Sequence, residues 1–390
     1  MMILRNLFHR PRACRAYSAC RTFTTLNANA VAGSVPIVDI SPFLSTEQSV
    51  RLLNPSPERI HASQVLYRAL SEWGFCLLKN HGISPQLREK IFQSADEFFS
   101  LPEEKKLALH VRNGGVAWRG YMPRGGEATH GSTDHKEGMY FGPEHEDSHH
   151  HAGLPLHGKN QFPDDTVPAM RPAILTYIDQ ITNIGKCLSD AISISLGLEI
   201  DYMRQHFLSP EPVSIVRCFK YFAPESSPEG KWGIGEHTDF GYLTILNQGS
   251  PGLQLLAPTK EWIDVPAHED MLVCNVGDML DMMTGGRFKS VPHRVKPPPP
   301  GSYRISFPFF FDFSWDAQMV HLPLDHLPKL SQQQEQEAKE RWEKTTFTGV
   351  SGVWAQYLAK KVKRIFPDLE LPDFEHNSKP STRFTVVVNT

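Results

Sequence analysis

Apolar positions along this chain follow two different rhythms. Between about Pro57 and Trp73, residues Ile60, Val65, Ala69, Leu70 and Trp73 recur at helical spacing, and Gly74 ends the run. Leu87, Ile91, Phe92, Ala95, Phe98 and Phe99 form a second helical stripe that Pro102 closes, and a third runs from about Pro168 to Leu198. Ahead of these lies the β-rich run Val35-Pro-Ile-Val-Asp-Ile40, and between the first two lie a buried strand at Phe75–Leu78 and a turn at Asn80-His-Gly82. After residue 214 the rhythm changes to short apolar runs cut by Gly and Pro: Ile215 to Phe222, Leu243 to Leu246, Leu253 to Leu256, Met271 to Val276 and Tyr303 to Phe311. Closely spaced short strands with turn signals between them predict a β-sandwich or barrel. A last helical stripe, Val350 to Phe366, precedes Pro367, while 111–165 shows no sustained period and reads as a long, irregular loop region.

Composition narrows the classes. Of 390 residues 40% are hydrophobic and 21% charged, which suits a folded globular chain, and no apolar run is long enough to span a bilayer. The net charge of -3 includes an acid-free first segment, residues 1–34, that carries Arg5, Arg10, Arg12, Arg15 and Arg21, so the body is more acidic than the total. An acidic body without a basic stripe argues against nucleic acid and for a small-molecule substrate, with a monomer as the simplest assembly. The Arg-, Ser- and Thr-rich leader suits a mitochondrial transit peptide; the alternatives are a disordered basic tail or an overlong gene start on a cytoplasmic protein. Six cysteines without a CxxC pair point to a reducing compartment, with Cys76, Cys218 and Cys274 as small core residues.

Candidate chemistry lies in the β-rich half. Gly235-Glu-His-Thr-Asp239 places His237 and Asp239 two residues apart, which in a strand means one face. His293, in Ser290-Val-Pro-His-Arg-Val295, is far enough downstream to fold back beside them. Two imidazoles and a carboxylate on one side of a metal leave positions open, the arrangement of non-haem Fe(II) oxygenases. The spacing recurs at His145/Asp147 and His268/Asp270, but these lie in a polar loop and an acidic turn, where solvated surface is the expectation; the tract His145-Glu-Asp-Ser-His-His-His151 looks like a metal-binding tract, with a solvated loop as the favoured reading. Arg304 and Ser306 share a face eleven residues beyond His293. A buried guanidinium beside a hydroxyl suits a carboxylate ligand, the alternative being an internal pair with Asp278 or Asp281.

These pieces, with Pro36-Ile-Val-Asp-Ile-Ser-Pro42, Trp73-Gly-Phe75, Asn80-His-Gly-Ile83, Phe98-Phe-Ser-Leu-Pro-Glu103, Arg119-Gly-Tyr121, Asp134-His-Lys-Glu137, Gly158-Lys-Asn-Gln-Phe-Pro163 and Asn275-Val-Gly-Asp278, resemble the isopenicillin N synthase-like 2-oxoglutarate and Fe(II)-dependent dioxygenases over about Val35 to His321. The resemblance implies an α+β fold with a mainly β core, a distorted double-stranded β-helix (jelly roll) buttressed by helices. It implies a leader at 1–34, an N-terminal dioxygenase region at 35–165, a helical buttress at 166–211, the catalytic barrel at 212–322 and a helical extension at 323–390. It also implies that His237, Asp239 and His293 hold Fe(II) and act catalytically, and that Arg304 and Ser306 bind the distal carboxylate of 2-oxoglutarate. Tyr221 is placed against that cosubstrate and His81 is structural. One departure is Thr284-Gly-Gly286 where many relatives read Thr-Asn-Gly.

The implied activity is oxidation of a small organic metabolite by O2 (hydroxylation, desaturation or ring closure), with succinate and CO2 released. Phe240, Met279, Met282, Met283 and Phe309 are candidates to wall the substrate, and Arg119 and Tyr121 to contact it from a lid. Two alternatives remain: an Fe(II) oxidase of the same fold that does not use 2-oxoglutarate, and a non-catalytic ligand-binding barrel.

Overall fold

The computed structural model describes residues 34–44, 55–129, 132–223, 232–363 and 384–386. All of the leader but Ser34 lies outside these residues, as do Cys14, Cys20 and most of the chain beyond 363. Local chemistry sets the helix ends. The Ser56 hydroxyl accepts from Arg59 N–H and Pro57 opens the helix Pro57–Glu72; Ser84 and Pro85 do the same for Pro85–Phe99. Gly74 takes a positive φ of 65°, and a Cβ there would stand 2.1 Å from the Lys289 carbonyl, so only glycine fits. The long helix Met170–Ser195 lies within the predicted span and buries Ile174, Ile178, Ile181, Leu188 and Ile192.

The strands are β1 (Ile37–Asp39), β2 (Phe75–Lys79), β3 (Gly120–Met122), β4 (Glu127–Thr129), β5 (Ser132–Thr133), β6 (Lys136–Phe141), β7 (Ser214–Phe222), β8 (Ile234–His237), β9 (Leu243–Gln248), β10 (Leu253–Leu256), β11 (Trp262–Asp264), β12 (Met271–Val276), β13 (His293–Val295), β14 (Tyr303–Phe311) and β15 (Phe384–Val386). Eight form one sheet in the order β1-β2-β12-β9-β14-β7-β6-β3, and four form a second, β11-β10-β13-β8. From β7 to β14 the chain passes back and forth between these two sheets, the jelly roll that the resemblance implied, with β15-β4-β5 as a small third sheet. Met170–Ser195 packs on the large sheet: Gly185 passes so close to Phe311 of β14 that a Cβ would stand 2.7 Å from its ring.

The region 111–165 is not the irregular loop expected. It contains β3 to β6, and β6 is a fully buried strand of the large sheet, paired to β7. Its charged start hid it, because Lys136 and Glu137 break the apolar pattern. Both are satisfied internally: Lys136 pairs with Asp134 and Glu127, and Glu137 accepts from Lys106 (2.8 Å) and Tyr121 (2.6 Å). Arg119 and Tyr121 are therefore interior residues rather than lid contacts, at 0% and 1% exposure. Met279, Met283 and Phe309 are core side chains too. A helix at Gln332–Glu343, with almost no apolar stripe to betray it, is held by Arg341 and Trp342 donating to the buried Asp281. Among the described residues no helix is long and apolar enough to cross a membrane.

Candidate active site

His237 and His293 are direct cross-strand partners, since β8 and β13 pair antiparallel with His237 opposite His293. Their rings stand 4.2 Å apart, and Phe75 from β2 abuts His293 edge-on. Each imidazole Nδ1 lies against a backbone carbonyl, His237 on Gly235 O (2.8 Å) and His293 on Val291 O (3.1 Å). A carbonyl only accepts, so Nδ1 carries the proton and the lone pair of each ring is on Nε2. Those two Nε2 atoms face one carboxylate oxygen, Asp239 Oδ1, at 4.0 and 3.8 Å.

Asp239 reaches this position in a way the strand argument did not foresee. β8 ends at His237, and Asp239 lies in the loop before β9. That loop is clamped by the helix Asp278–Met283: Asp278 N–H donates to Asp239 O (2.8 Å) and Gly277 N–H to Tyr242 O (2.9 Å). Asn275 Nδ2 donates to Asp239 Oδ2 (2.7 Å), turning the other oxygen toward the histidines. Thr238, the middle residue of the motif, donates to Asp278 Oδ2 (3.2 Å), and Ser290 donates to Oδ1 of the same aspartate (2.7 Å). The role of Asn275 was visible in the sequence only as part of a matching motif; its partner is set by β12 passing beside the loop.

The site is dry. The His237 and Asp239 side chains are 8% and 9% exposed. Burial, and then the neighbouring His293, push His237 down to about 3. Burial alone would raise the Asp239 carboxyl, but His293, His237 and hydrogen bonds from Thr244 and Asn275 bring it below the ordinary range. Two imidazole nitrogens whose lone pairs face inward and one carboxylate oxygen, all within 4.8 Å of one another, are a donor set that fits Fe(II).

Beside it lies an incomplete polar pocket. Arg304 on β14 is opposite Tyr221 on β7, its guanidinium 5.0 Å from the centre of that ring. Nε donates to Ser250 O and Nη2 to Gln248 Oε1, both at 3.1 Å. Nη1 and the Ser306 hydroxyl are buried without a hydrogen-bond partner. Asp278 and Asp281 are engaged elsewhere, so the internal pairing considered for Arg304 does not form. Two orphan donors sharing a strand face are what an absent carboxylate would satisfy. The pocket adjoins the ligand strands: a Cβ on Gly233, just before β8, would stand 2.9 Å from Tyr221 and 3.2 Å from Val295 of β13.

Two contributions escaped the sequence reading. Gln248 and Ser250, which hold the guanidinium, lie at and just beyond the end of β9 with no pattern to mark them. Lys361, on the same face of the helix Trp354–Lys363 as the buried Trp354, stands over Phe240 with its ammonium 4.4 Å from the ring centre. Phe240 is thus covered by the C-terminal helix, which also supplies Trp354 at 5.1 Å. His81, by contrast, is buried with its Nδ1 accepting from Ile83 N–H, a turn-forming contact that suits the structural reading.

Residues 35–165 match the family model described as the N-terminal region of non-haem dioxygenase in morphine synthesis, and residues 210–313 match the 2OG-Fe(II) oxygenase superfamily. A probable iron/ascorbate oxidoreductase of Dictyostelium discoideum is 34% identical over 358 residues, covering 86% of this chain and 96% of its own length. A 1-aminocyclopropane-1-carboxylate oxidase of Dictyostelium mucoroides is 32% identical over 370 residues, covering 86% and 95%. Among solved structures, a full-length Neurospora crassa protein in complex with alpha-KG and 5-formyluracil aligns with a TM-score of 0.63 at 25% identity, covering 84% of this chain and 95% of that one. Sequence, topology and donor set agree, and the chain belongs to the 2-oxoglutarate and Fe(II)-dependent oxygenases, as an oxidoreductase that uses iron, 2-oxoglutarate and O2.

Proposed function

We propose that His237, Asp239 and His293 hold the iron, that Arg304 and Ser306 anchor the distal carboxylate of 2-oxoglutarate against Tyr221, and that the prime substrate is a small organic metabolite entering under Phe240 and the helix Trp354–Lys363. The observation that carries this reading is the pair of buried orphan donors, Arg304 Nη1 and Ser306 Oγ, next to the three converging ligands. When bound, Fe(II) with O2 and 2-oxoglutarate supplies the oxidant that removes hydrogen from a C–H bond as the cosubstrate becomes succinate and CO2.

The protein's own part is positional. The backbone carbonyls of Gly235 and Val291 keep both Nε2 lone pairs inward, and Asn275 selects which oxygen of Asp239 faces them. Arg304, held by Ser250 and Gln248, presents its free edge without having to reorganise. Phe75 packs edge-on against His293, and Trp354 covers Phe240, the residue that follows the ligand Asp239.

A second reading keeps the fold and the iron but not the cosubstrate: Arg304 and Ser306 receive a carboxylate of the prime substrate. The 1-aminocyclopropane-1-carboxylate oxidase relative supports it. Oxygen consumption with a metabolite library, reading succinate and product mass together, separates the two. The first reading expects succinate in step with oxidised product; oxidised product without 2-oxoglutarate or succinate would overturn it in favour of the second.

A further inference from the structure

The histidine tract that the sequence suggested was solvated is partly interior. His145, His151 and His157 are 9%, 4% and 3% exposed, and with His149 and His150 they crowd so that neighbouring rings stand 3.9 to 4.9 Å apart. The tract packs on Glu211, just before β7, and on Trp315 and Asp316, just after β14.

Hydrogen bonding settles where the lone pairs are. His151 Nε2 lies 2.8 Å from Asp316 Oδ2, and His157 Nδ1 lies 2.9 Å from Pro155 O. Both oxygens accept, so each of those nitrogens carries a proton and the lone pairs are on His151 Nδ1 and His157 Nε2. His151 Nδ1 is buried without a hydrogen-bond partner. So is Glu211 Oε1, which lies 2.8 Å from His149 Nε2 but outside hydrogen-bonding alignment. Donor atoms of His151, His157 and Glu211 all lie within 4.8 Å of one another. His149 Nδ1 accepts from His151 N–H (3.2 Å), so the proton of that ring is on the Nε2 that stands near Glu211 Oε1 without aligning to it, and no proton donor is bonded to His151 Nδ1. Buried acceptors of this kind give up hydration without gaining a hydrogen bond, and a cation at their centre removes that cost.

We propose that His151 Nδ1, His157 Nε2 and Glu211 form a second metal centre, separate from the His237/Asp239/His293 site, that takes a zinc-class divalent cation and staples the 143–165 loop to the ends of β7 and β14. Two imidazoles and one carboxylate suit Zn(II) and its neighbours rather than Mg(II) or Ca(II), which prefer all-oxygen shells. Asp316 and the Pro155 carbonyl supply the outer hydrogen bonds that ligating histidines require. The Pro155 carbonyl at Nδ1 leaves Nε2 as the lone-pair nitrogen of His157, the atom that can ligate. Arg119, the cation buried nearby, is countered by Glu144, and Glu211 and Asp316 add negative charge around the rings.

The test uses tag-free, full-length His237→Ala/Asp239→Ala protein, in which the catalytic ligands are gone and the second set is intact. After chelator treatment and dialysis, zinc is titrated by calorimetry and bound metal is counted by elemental analysis. One tightly held equivalent of zinc and a raised melting temperature are expected; adding Glu211→Gln or His151→Ala to this background abolishes both, whereas the exposed His150→Ala leaves them. Asp316→Asn weakens zinc roughly 10- to 100-fold by removing the outer carboxylate. Co(II) in place of zinc is expected to give ligand-field bands that vanish with His151→Ala. The background protein needs no change in the loop, so its failure to retain zinc overturns the proposal even if a loop variant does not fold. Retention of the equivalent in Glu211→Gln and His151→Ala overturns it as well.

Discussion

The two sheets of the barrel divide the labour unequally. The eight-stranded sheet is built from long apolar runs such as β7, β12 and β14 and holds much of the core. The four-stranded sheet is made of strands of three or four residues, and two of these, β8 and β13, carry the histidines. Hydrophobic burial places the first sheet; the second is placed largely by its partners, through the β13 ladder to β10 and through the loop clamped by the helix Asp278–Met283. The lesson is that stability and chemistry sit on opposite sheets, with Arg304 and Asn275 reaching from the large sheet to complete a site on the small one.

The largest effect should separate the two sheets outright. His293→Ala is expected to abolish iron retention and turnover while leaving the melting temperature close to that of metal-free wild type. Ile245→Ala, in the middle of the large sheet and fully buried, should cost about 2–5 kcal/mol of stability and still retain iron when folded. Elemental analysis and thermal denaturation of both proteins check this, and a His293→Ala protein with normal iron content would break the comparison.

Arg304 tests whether the large sheet contributes chemistry at all. Losing a desolvated partner for the 2-oxoglutarate carboxylate should cost about 2–5 kcal/mol, lowering apparent affinity by roughly 30-fold or more in Arg304→Ala. Arg304→Lys should recover little, because the two-pronged geometry is lost. Iron content should stay at the wild-type level. A titration of 2-oxoglutarate against turnover that is unchanged by either substitution would remove Arg304 from the site.

A smaller loss is expected from Asn275→Ala. It frees Asp239 Oδ2 from its 2.7 Å hydrogen bond without touching a ligand, so iron affinity should fall roughly 10- to 100-fold. Competition with a chelator of known strength measures this; an unaltered affinity would mean that the loop is oriented by the helix Asp278–Met283 alone.

The smallest effect concerns Lys361. Burial, and then Arg217, push its ammonium down to about 8 from an ordinary value of 10.5, against the pull of Asp312 and Asp239. Because the folded state binds this proton less tightly than the unfolded chain, the charge costs stability fully below pH 8, and the cost fades as pH rises from 8 to 10.5. Lys361→Met should therefore stabilise at neutral pH by about 1 kcal/mol after solvent screening, with the gain shrinking across that window in melting curves taken at several pH values. A gain that does not change with pH would assign the effect to packing against Phe240 instead.

Much of this was legible in the linear pattern, and the exceptions share a cause. The helices at 57–72, 85–99 and 170–195 and the strands β7, β9, β10, β12 and β14 announce themselves because each needs an apolar stripe or run to be buried. β6 and the helix Gln332–Glu343 do not, since Lys136, Glu137, Arg341 and Trp342 are satisfied by partners 2 to 61 residues away, most of them beyond any local window. The histidine tract is a related case: its polarity suggests solvent, but Glu211 and Asp316 converge on it from the ends of two strands and its His145 and His151 are buried.

The sequence by itself determined the kinds of atom available, namely His237, Asp239, His293, Arg304 and Ser306, and the family that uses them, because those depend on residue identity and order. Tertiary structure alone decided their orientation. The tautomers of His237 and His293, the oxygen that Asp239 turns inward and the free edge of Arg304 depend on the carbonyls of Gly235 and Val291 and on Asn275, Gln248 and Ser250. Those hydrogen bonds act over about 3 Å in space, and most of them join residues that only the folding of the sheets brings within reach.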